Sequence, residues 1–457
     1  MVSESGRSSE RLSSAVAWAS RAVVLGVLGC ASAAPASGAD QFLPGEYRLL
    51  SFFPQDNYDQ WLRGEIERFE QTHEGVTIEV QYTDPTNIIQ MIKTGVASGQ
   101  APDVATQLPG SAQLQLFEAG QILDYKPHID ADPEWQGWIK GWDKVPNSQY
   151  RTADAIFAAN VSLGPMLVWY WKDMLAEVGY DSLPQDIDGL IALSAALRKE
   201  GKPTMANGLN SQALFNYDYT FYTLEANFDP DGSKARLADA GKYPWTSPEF
   251  QQAAELFKRL YDAGVFYDGS LEKNYDPDSK VDFGARTASM AWPFGPWMNG
   301  YYPEDTIPNI GVGIFPRLDP SGPAVLTSSN DLEFIVPIVS DEQKRPEHIA
   351  TMVAFVKQLN SPASQKSLWD NGIFPIMAEA VAADVAPGSW ASVLKAQIDV
   401  AQAADFAVDE NTYSPNTQSA LTNGLQAVLL GQRTVEEMLA EVQAANQRDH
   451  PCAPNCQ

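Results

Sequence analysis

Histidine is scarce in this chain and cysteine scarcer still, with four and three among 457 residues. His73, His128, His348 and His450 include no pair at metal-ligand spacing, and no His-Glu-x-x-His run occurs, so the sequence offers no histidine metal site. Equally absent are a Gly-x-Ser-x-Gly elbow, a phosphate-cradling glycine loop and a dinucleotide fingerprint. No cofactor and no metal are therefore expected. Positive charge is also short: 31 Lys and Arg stand against 58 Asp and Glu, a net charge of −27. Without a basic stripe to neutralise phosphates, nucleic acid is excluded as a partner. The acids are scattered singly, as on a solvated surface. No apolar run reaches the roughly 20 residues that span a bilayer.

The most apolar run is near the start. Arg11 and Arg21 precede Ala22-Val23-Val24-Leu25-Gly26-Val27-Leu28, followed by Gly29-Cys30. Positive charge, a short apolar core and small residues describe a secretory signal, expected over residues 1–39. Two readings of its end stay open. Val27-Leu28-Gly29-Cys30 resembles a bacterial lipoprotein box, which would lipidate Cys30. Cleavage after Ala31-Ser32-Ala33 or Ser37-Gly38-Ala39 would instead discard it. Both export the mature chain to the periplasm or the outer face of the cytoplasmic membrane. In that oxidising setting Cys452 and Cys456 are expected to form a small terminal disulfide, in a tail spanning 448–457.

What remains is enough for two or three domains. Hydrophobic residues make up 44% and aromatics 11%, a globular composition. Residues 45–150 alternate strand and helix patterns. Tyr47 to Phe53 is an apolar strand, Leu62, Ile66 and Phe69 share a helical face, and Val76, Ile78, Val80 and Tyr82 alternate with polar neighbours. This β-α-β-α-β order implies a parallel sheet covered by helices. A second block begins near residue 158, with a buried strand at Met166–Tyr170 and a helix at Ile187–Lys199. Ser247-Pro248 opens a helix that Gly264 closes, and Thr434-x-x-Glu437 is a capping box.

Aromatic residues cluster where the pattern reads as loop. Trp292-Pro293-Phe294-Gly295-Pro296-Trp297-Met298-Asn299-Gly300-Tyr301-Tyr302 and Phe215-Asn216-Tyr217-Asp218-Tyr219-Thr220-Phe221-Tyr222 are the two instances. Flat rings beside amides and carboxylates suit a sugar, which offers C–H groups to stack on and hydroxyls to hydrogen-bond. Packing between elements is the competing reading for any one of these rings. The carboxylate pairs Asp229/Asp231 and Asp276/Asp278 would suit a glycosidase, but both lie in turn-like Pro/Gly/Ser surroundings where aspartate serves the backbone.

Ordered landmarks across residues 45–447 resemble the bacterial extracellular solute-binding proteins of family 1, the carbohydrate receptors of ABC importers. These are Ala101-Pro102-Asp103-Val104, the Met166–Asp173 run MLVWYWKD, Ala288-Ser289-Met290 leading to Gly295-Pro296-Trp297, the Ala350–Gln365 helix and Gly431–Glu437. The resemblance implies two discontinuous α/β lobes with mainly parallel sheets around an interlobe cleft, the type II periplasmic-binding-protein arrangement. Residues 40–158 and 327–377 would form lobe 1; residues 159–326 and 378–447 would form lobe 2. It implies a monomeric receptor, not an enzyme, that closes on a carbohydrate and delivers it to ABC permease subunits. Asp56, Asn57 and Gln107 would approach the ligand from lobe 1, Tyr217, Trp292 and Trp297 from lobe 2, with Asn330 and Asp331 after the second crossover. Gln107 stands where maltose receptors carry a tryptophan, and Asn416 and Gln418 where they carry an aromatic, which argues against maltose. A polyamine receptor and a secreted glycan-cleaving enzyme remain the alternatives.

Overall fold

Among the described residues ten strands, β1 (Gly45–Ser51), β2 (Val76–Tyr82), β3 (Val104–Thr106), β4 (Ala159–Pro165), β5 (Leu167–Trp171), β6 (Met205–Ala206), β7 (Met290–Phe294), β8 (Ile310–Gly313), β9 (Val325–Ile335) and β10 (Phe406–Asp409), divide between two sheets. The computed structural model describes residues 42–53, 56–83, 87–106, 112–139, 154–210, 214–230, 232–299, 301–377, 385–386, 388–404, 406–409 and 415–456. The leader with Cys30, and Gln107, lie outside these.

In the first sheet β2 and β3 flank β1, both parallel to it. β2 shows why: Val76 and Ile78 turn inward while Thr77 and Glu79 face water, the period-2 alternation of a half-covered strand. The helix Asp56–Thr72 lays Trp61, Leu62, Ile66 and Phe69 on this sheet. Phe69 meets Phe355 of the helix Pro346–Leu359 edge to face, with centroids 5.2 Å apart. A segment more than 250 residues downstream thus completes the first core.

The second sheet runs β6-β7-β5-β8. Every residue of β5, Leu-Val-Trp-Tyr-Trp, is buried, as suits a central strand covered on both faces. Helices Ile187–Lys199, Leu214–Glu225, Pro248–Asp262, Pro415–Leu429 and Val435–Asp449 bring Leu190, Phe221, Phe257, Leu425 and Met438 into its core. The expected local signals operate. Gly264 adopts φ +70° behind its helix. The Thr434 hydroxyl accepts from the Glu437 amide at 3.2 Å, while the Glu437 carboxylate accepts from the Thr434 amide at 3.0 Å. Thr434→Ala should cost about 1 kcal/mol, read as a lower denaturation midpoint at unchanged m-value.

Two discontinuous α/β lobes are present, but strand direction is more mixed than the sequence implied. β5 is antiparallel to both β7 and β8, and β9 is antiparallel to β3 and β4. β4 pairs with β9 in the first sheet, so the chain changes sheets at Met166 and not near 158. There the Met166 amide donates to the Thr327 carbonyl at 2.8 Å, joining the outgoing and returning passages. β9 carries the return. Its later residues pair with β4, while Val325–Ser328 pair with β10, so 406–409 also belongs to the first sheet. The helix Trp390–Gln402 bridges the lobes: Val393 packs with the second-sheet strands, Leu394 and Ile398 against Trp369 and Phe374.

Cys452 and Cys456 are disulfide-bonded, and the Cys456 amide donates to the Gly241 carbonyl at 3.1 Å. The tail is thereby folded onto the second lobe. No described helix is long and apolar enough to cross a membrane.

Candidate functional site

Parallel strands gather the ends of their following loops along one edge, where ligands bind in open α/β sheets. In the first lobe this edge is formed by the ends of β1 and β3. The Phe52 amide donates to the Thr106 hydroxyl at 3.3 Å, holding the two ends together. Phe53 stacks on Tyr58 at 4.9 Å, which fixes how the helix Asp56–Thr72 leaves β1. Asp56 opens that helix and Asn57 is half-buried in its first turn.

Tyr58 and the strand β9 build the floor. The buried Asp331 carboxylate accepts from the Tyr58 hydroxyl at 2.5 Å and from the Ser162 hydroxyl at 2.8 Å, both on Oδ2. Its other oxygen, Oδ1, has no hydrogen-bond partner among the described residues. Burial pushes the Asp331 pKa up to about 6; the two hydroxyls and the Lys280 ammonium pull the other way. Asn330 pairs through its backbone with Leu163 of β4.

From the second lobe, β7 ends in Gly295-Pro296-Trp297. A Cβ on Gly295 would sit 2.5 Å from Cζ3 of Trp297, so only glycine lets the indole fold back over the strand end. Trp297 is half-buried and packs against the hydrophobic clusters of both lobes. Beside it, Asn299 Nδ2 donates to the Gly372 carbonyl of the first lobe at 2.8 Å. Gly295→Ala should displace the ring, weakening ligand binding more than tenfold while the denaturation midpoint shifts little, as calorimetry and urea titration would show.

Lys280 enters from the helix Lys280–Gly284. Its side chain is 1% exposed, yet its ammonium pairs with Asp276 at 2.5 Å, donates to the Tyr301 hydroxyl at 3.3 Å and lies 4.5 Å from that ring's centroid. Tyr301 is near enough to Tyr58, and Lys280 to Asp331, for their electrostatics to couple.

Two expected contacts are elsewhere. The segment 215–222 belongs to the helix Leu214–Glu225, not to a loop, and every residue from Asn216 to Glu225 is buried. Tyr217 has no exposed surface; it meets Phe257 edge to face and donates its hydroxyl to the Leu209 carbonyl at 2.6 Å. Trp292 lies inside β7, stacked on Phe315 at 3.8 Å, also with no exposed surface. Both are core rings of the second lobe, because the helix and the strand that carry them are covered on every side. Asp331, Trp297 and Asn57 stay near the lobe junction, whereas Lys280, Tyr58 and Tyr301 were not singled out in the sequence. Only Tyr301 carried a signal, its place in the aromatic run.

The ionisation of Asp331 has a stability consequence. Its folded pKa, about 6, lies above the 3.8 of a free carboxyl, so its stabilising contribution is complete below pH 4 and is lost as pH rises through 6. The loss amounts to about 3 kcal/mol. Asp331→Asn keeps an acceptor for both hydroxyls, so the variant should gain stability relative to wild type between pH 4 and 7. Parallel urea titrations at pH 4 and pH 7 measure this difference; equal differences at the two pH values would contradict it.

The family model described as bacterial extracellular solute-binding protein matches residues 66–396. The chain belongs to this family. Solved structures of similar fold include a chitin oligosaccharide binding protein, 18% identical over 88% of this chain and 98% of that one, with a TM-score of 0.75. The GacH receptor of Streptomyces glaucescens, solved unliganded and with acarbose, is 16% identical over 89% and 98%, at 0.69. AcbH, a bacterial solute receptor with a preference for β-D-galactopyranose, is 14% identical over 89% and 100%, at 0.67. No curated protein matches the sequence. In this solute-binding protein the groups around Trp297 and Asp331 are the candidate ligand site.

Proposed function

We propose that this protein is the extracytoplasmic receptor of an ABC importer, which clamps a sugar or oligosaccharide between its lobes and hands it unchanged to the permease. The half-buried Trp297, laid over Gly295 and packed against both lobes, carries the reading. An indole face stacks on the C–H side of a sugar ring, and the hydrogen-bonding groups at Asp331, Lys280 and Tyr301 suit its hydroxyls. Ligand contacts from both lobes stabilise the closed form, so closure follows binding as a population shift. The similar folds that bind chitin oligosaccharide, acarbose or galactopyranose agree with that ligand class. Family membership supports an exported location; Cys30 as anchor point or discarded leader residue, and action as a monomer, are part of the same proposal.

Of the carboxylate pairs considered for glycan cleavage, Asp276 holds Lys280 and Asp278 accepts from the Asn274 amide at 2.8 Å, while Asp229 accepts from the Lys234 amide at 2.8 Å and Asp231 lies outside the described residues. Thermal-shift titration against neutral mono- and oligosaccharides tests the reading, with reducing ends assayed in parallel. At a hundredfold excess over Kd the expected stabilisation is about 2.7 kcal/mol, a rise of several degrees, with no product. A flat response to every saccharide, or release of reducing ends, would overturn it.

A further inference from the structure

We propose that Asn299 is an interlobe latch: its side-chain amide, donated from the second lobe to the Gly372 carbonyl of the first, positions Trp297 and sets how readily the lobes close on a ligand. The inference rests on the proposed receptor function and adds a positioning residue that acts through Trp297 and not by touching the ligand.

Each end of the latch is fixed in its own lobe. On the second, the Met298 amide donates to the Gly295 carbonyl at 3.1 Å and the Asn299 amide to the Pro296 carbonyl at 2.9 Å, closing a tight turn over Pro296–Met298. Met298 has no exposed surface and lies in the core with Trp169 and Phe294. On the first, Gly372 follows the helix Pro362–Asp370 at φ +73°, in the left-handed region that favours glycine, and its amide donates to the Trp369 carbonyl at 3.0 Å. Three residues on, Pro375 bridges to Ser162 of β4. Asn299 and Gly372 are both buried, and 2.8 Å separates Nδ2 from the carbonyl oxygen. A carbonyl only accepts, so the nitrogen of the Asn299 amide is the atom that faces it.

The bond exists only while the lobes abut, so it stabilises the closed form and contributes nothing to the open one. The same side chain limits that gain. Asn299 Oδ1 is buried with no hydrogen-bond partner among the described residues, a desolvation cost that opening relieves. Gain and cost partly cancel, which leaves the junction free to part, whereas an apolar residue here would seal it. The effect reaches the ligand through Trp297, two residues before Asn299 and half-buried against the hydrophobic clusters of both lobes. With the latch made, the turn that carries the indole is held from both sides; without it, from one only.

The test compares the whole protein with Asn299→Ala, Asn299→Asp, Gly372→Ala and the double variant Asn299→Ala/Gly372→Ala. Calorimetric titration uses cellobiose, N,N′-diacetylchitobiose and galactose, together with the strongest neutral binder from the thermal-shift panel. Losing the donor should weaken binding about five- to tenfold in both Asn299 variants, the effect of one buried hydrogen bond, and mainly through faster dissociation. The small-angle scattering profile at saturation should stay that of wild type. Gly372→Ala forces the carbonyl's backbone out of its left-handed conformation and should lose a similar factor. The double variant should lose no more than about twofold beyond either single one, because one shared contact is broken only once. Near-ultraviolet circular dichroism verifies each fold, and Asn299→Asp, which keeps the side-chain volume, serves if alanine loosens the turn. Affinity within about twofold of wild type in both Asn299 variants, or losses that multiply in the double variant, overturn the latch while the receptor reading stands. If wild type binds no saccharide, the receptor reading fails, and scattering without ligand still decides the latch: the Asn299 variants should have a larger radius of gyration than wild type, and an unchanged radius overturns it.

Discussion

Replacing Tyr217 with alanine should lower the unfolding free energy by about 3–5 kcal/mol, the cost of emptying an aromatic site in a closed core. The ring has no exposed surface and packs against Phe257 between the helices Leu214–Glu225 and Pro248–Asp262. Tyr217→Phe separates packing from hydrogen bonding. Only the hydroxyl is lost, and the Leu209 carbonyl still accepts from Gln426 Nε2 at 3.2 Å, so that variant should cost about 1 kcal/mol. Sugar affinity should be unchanged in Tyr217→Phe, because its ring remains where it was. Urea titration with calorimetry distinguishes this from a ligand-contact role, in which the phenylalanine variant would lose affinity and keep its stability.

Trp297→Ala should have the opposite profile. The indole is half-buried at the lobe junction, so its removal should weaken sugar binding by roughly 30- to 100-fold, the 2–3 kcal/mol expected of an aromatic anchor. Because the ring is only half-buried, the denaturation midpoint should fall less than for Tyr217→Ala. Trp297→Phe keeps a flat face and should restore most of the affinity. An alanine variant that binds as tightly as wild type would remove Trp297 from the site. The two aromatics come from similar-looking stretches of sequence, and opposite outcomes would confirm that burial separates them.

Gly-Pro-Trp was readable because proline and glycine break periodicity where a strand ends, and such breaks place side chains at site mouths. The Tyr217 segment was misread for the converse reason. A helix buried on all sides has no polar face, so 215–222 lacked the amphipathic pattern that identifies helices. Lys280 carried no signal. It is one of 31 basic residues, and its ammonium is placed by the Asp276 carboxylate and by the Tyr301 hydroxyl, twenty-one positions later.

Alternating patterns gave the α/β class from sequence alone, and the ordered landmarks implied, by resemblance, a two-lobed solute-binding protein. Those signals are local, set by periodicity, capping and turn chemistry, and so survive without coordinates. The tertiary structure alone decided the strand directions of the second sheet, the change of sheet at Met166, and which aromatics serve the core. Each of these depends on contacts between segments tens to hundreds of residues apart, which spacing along the chain does not encode.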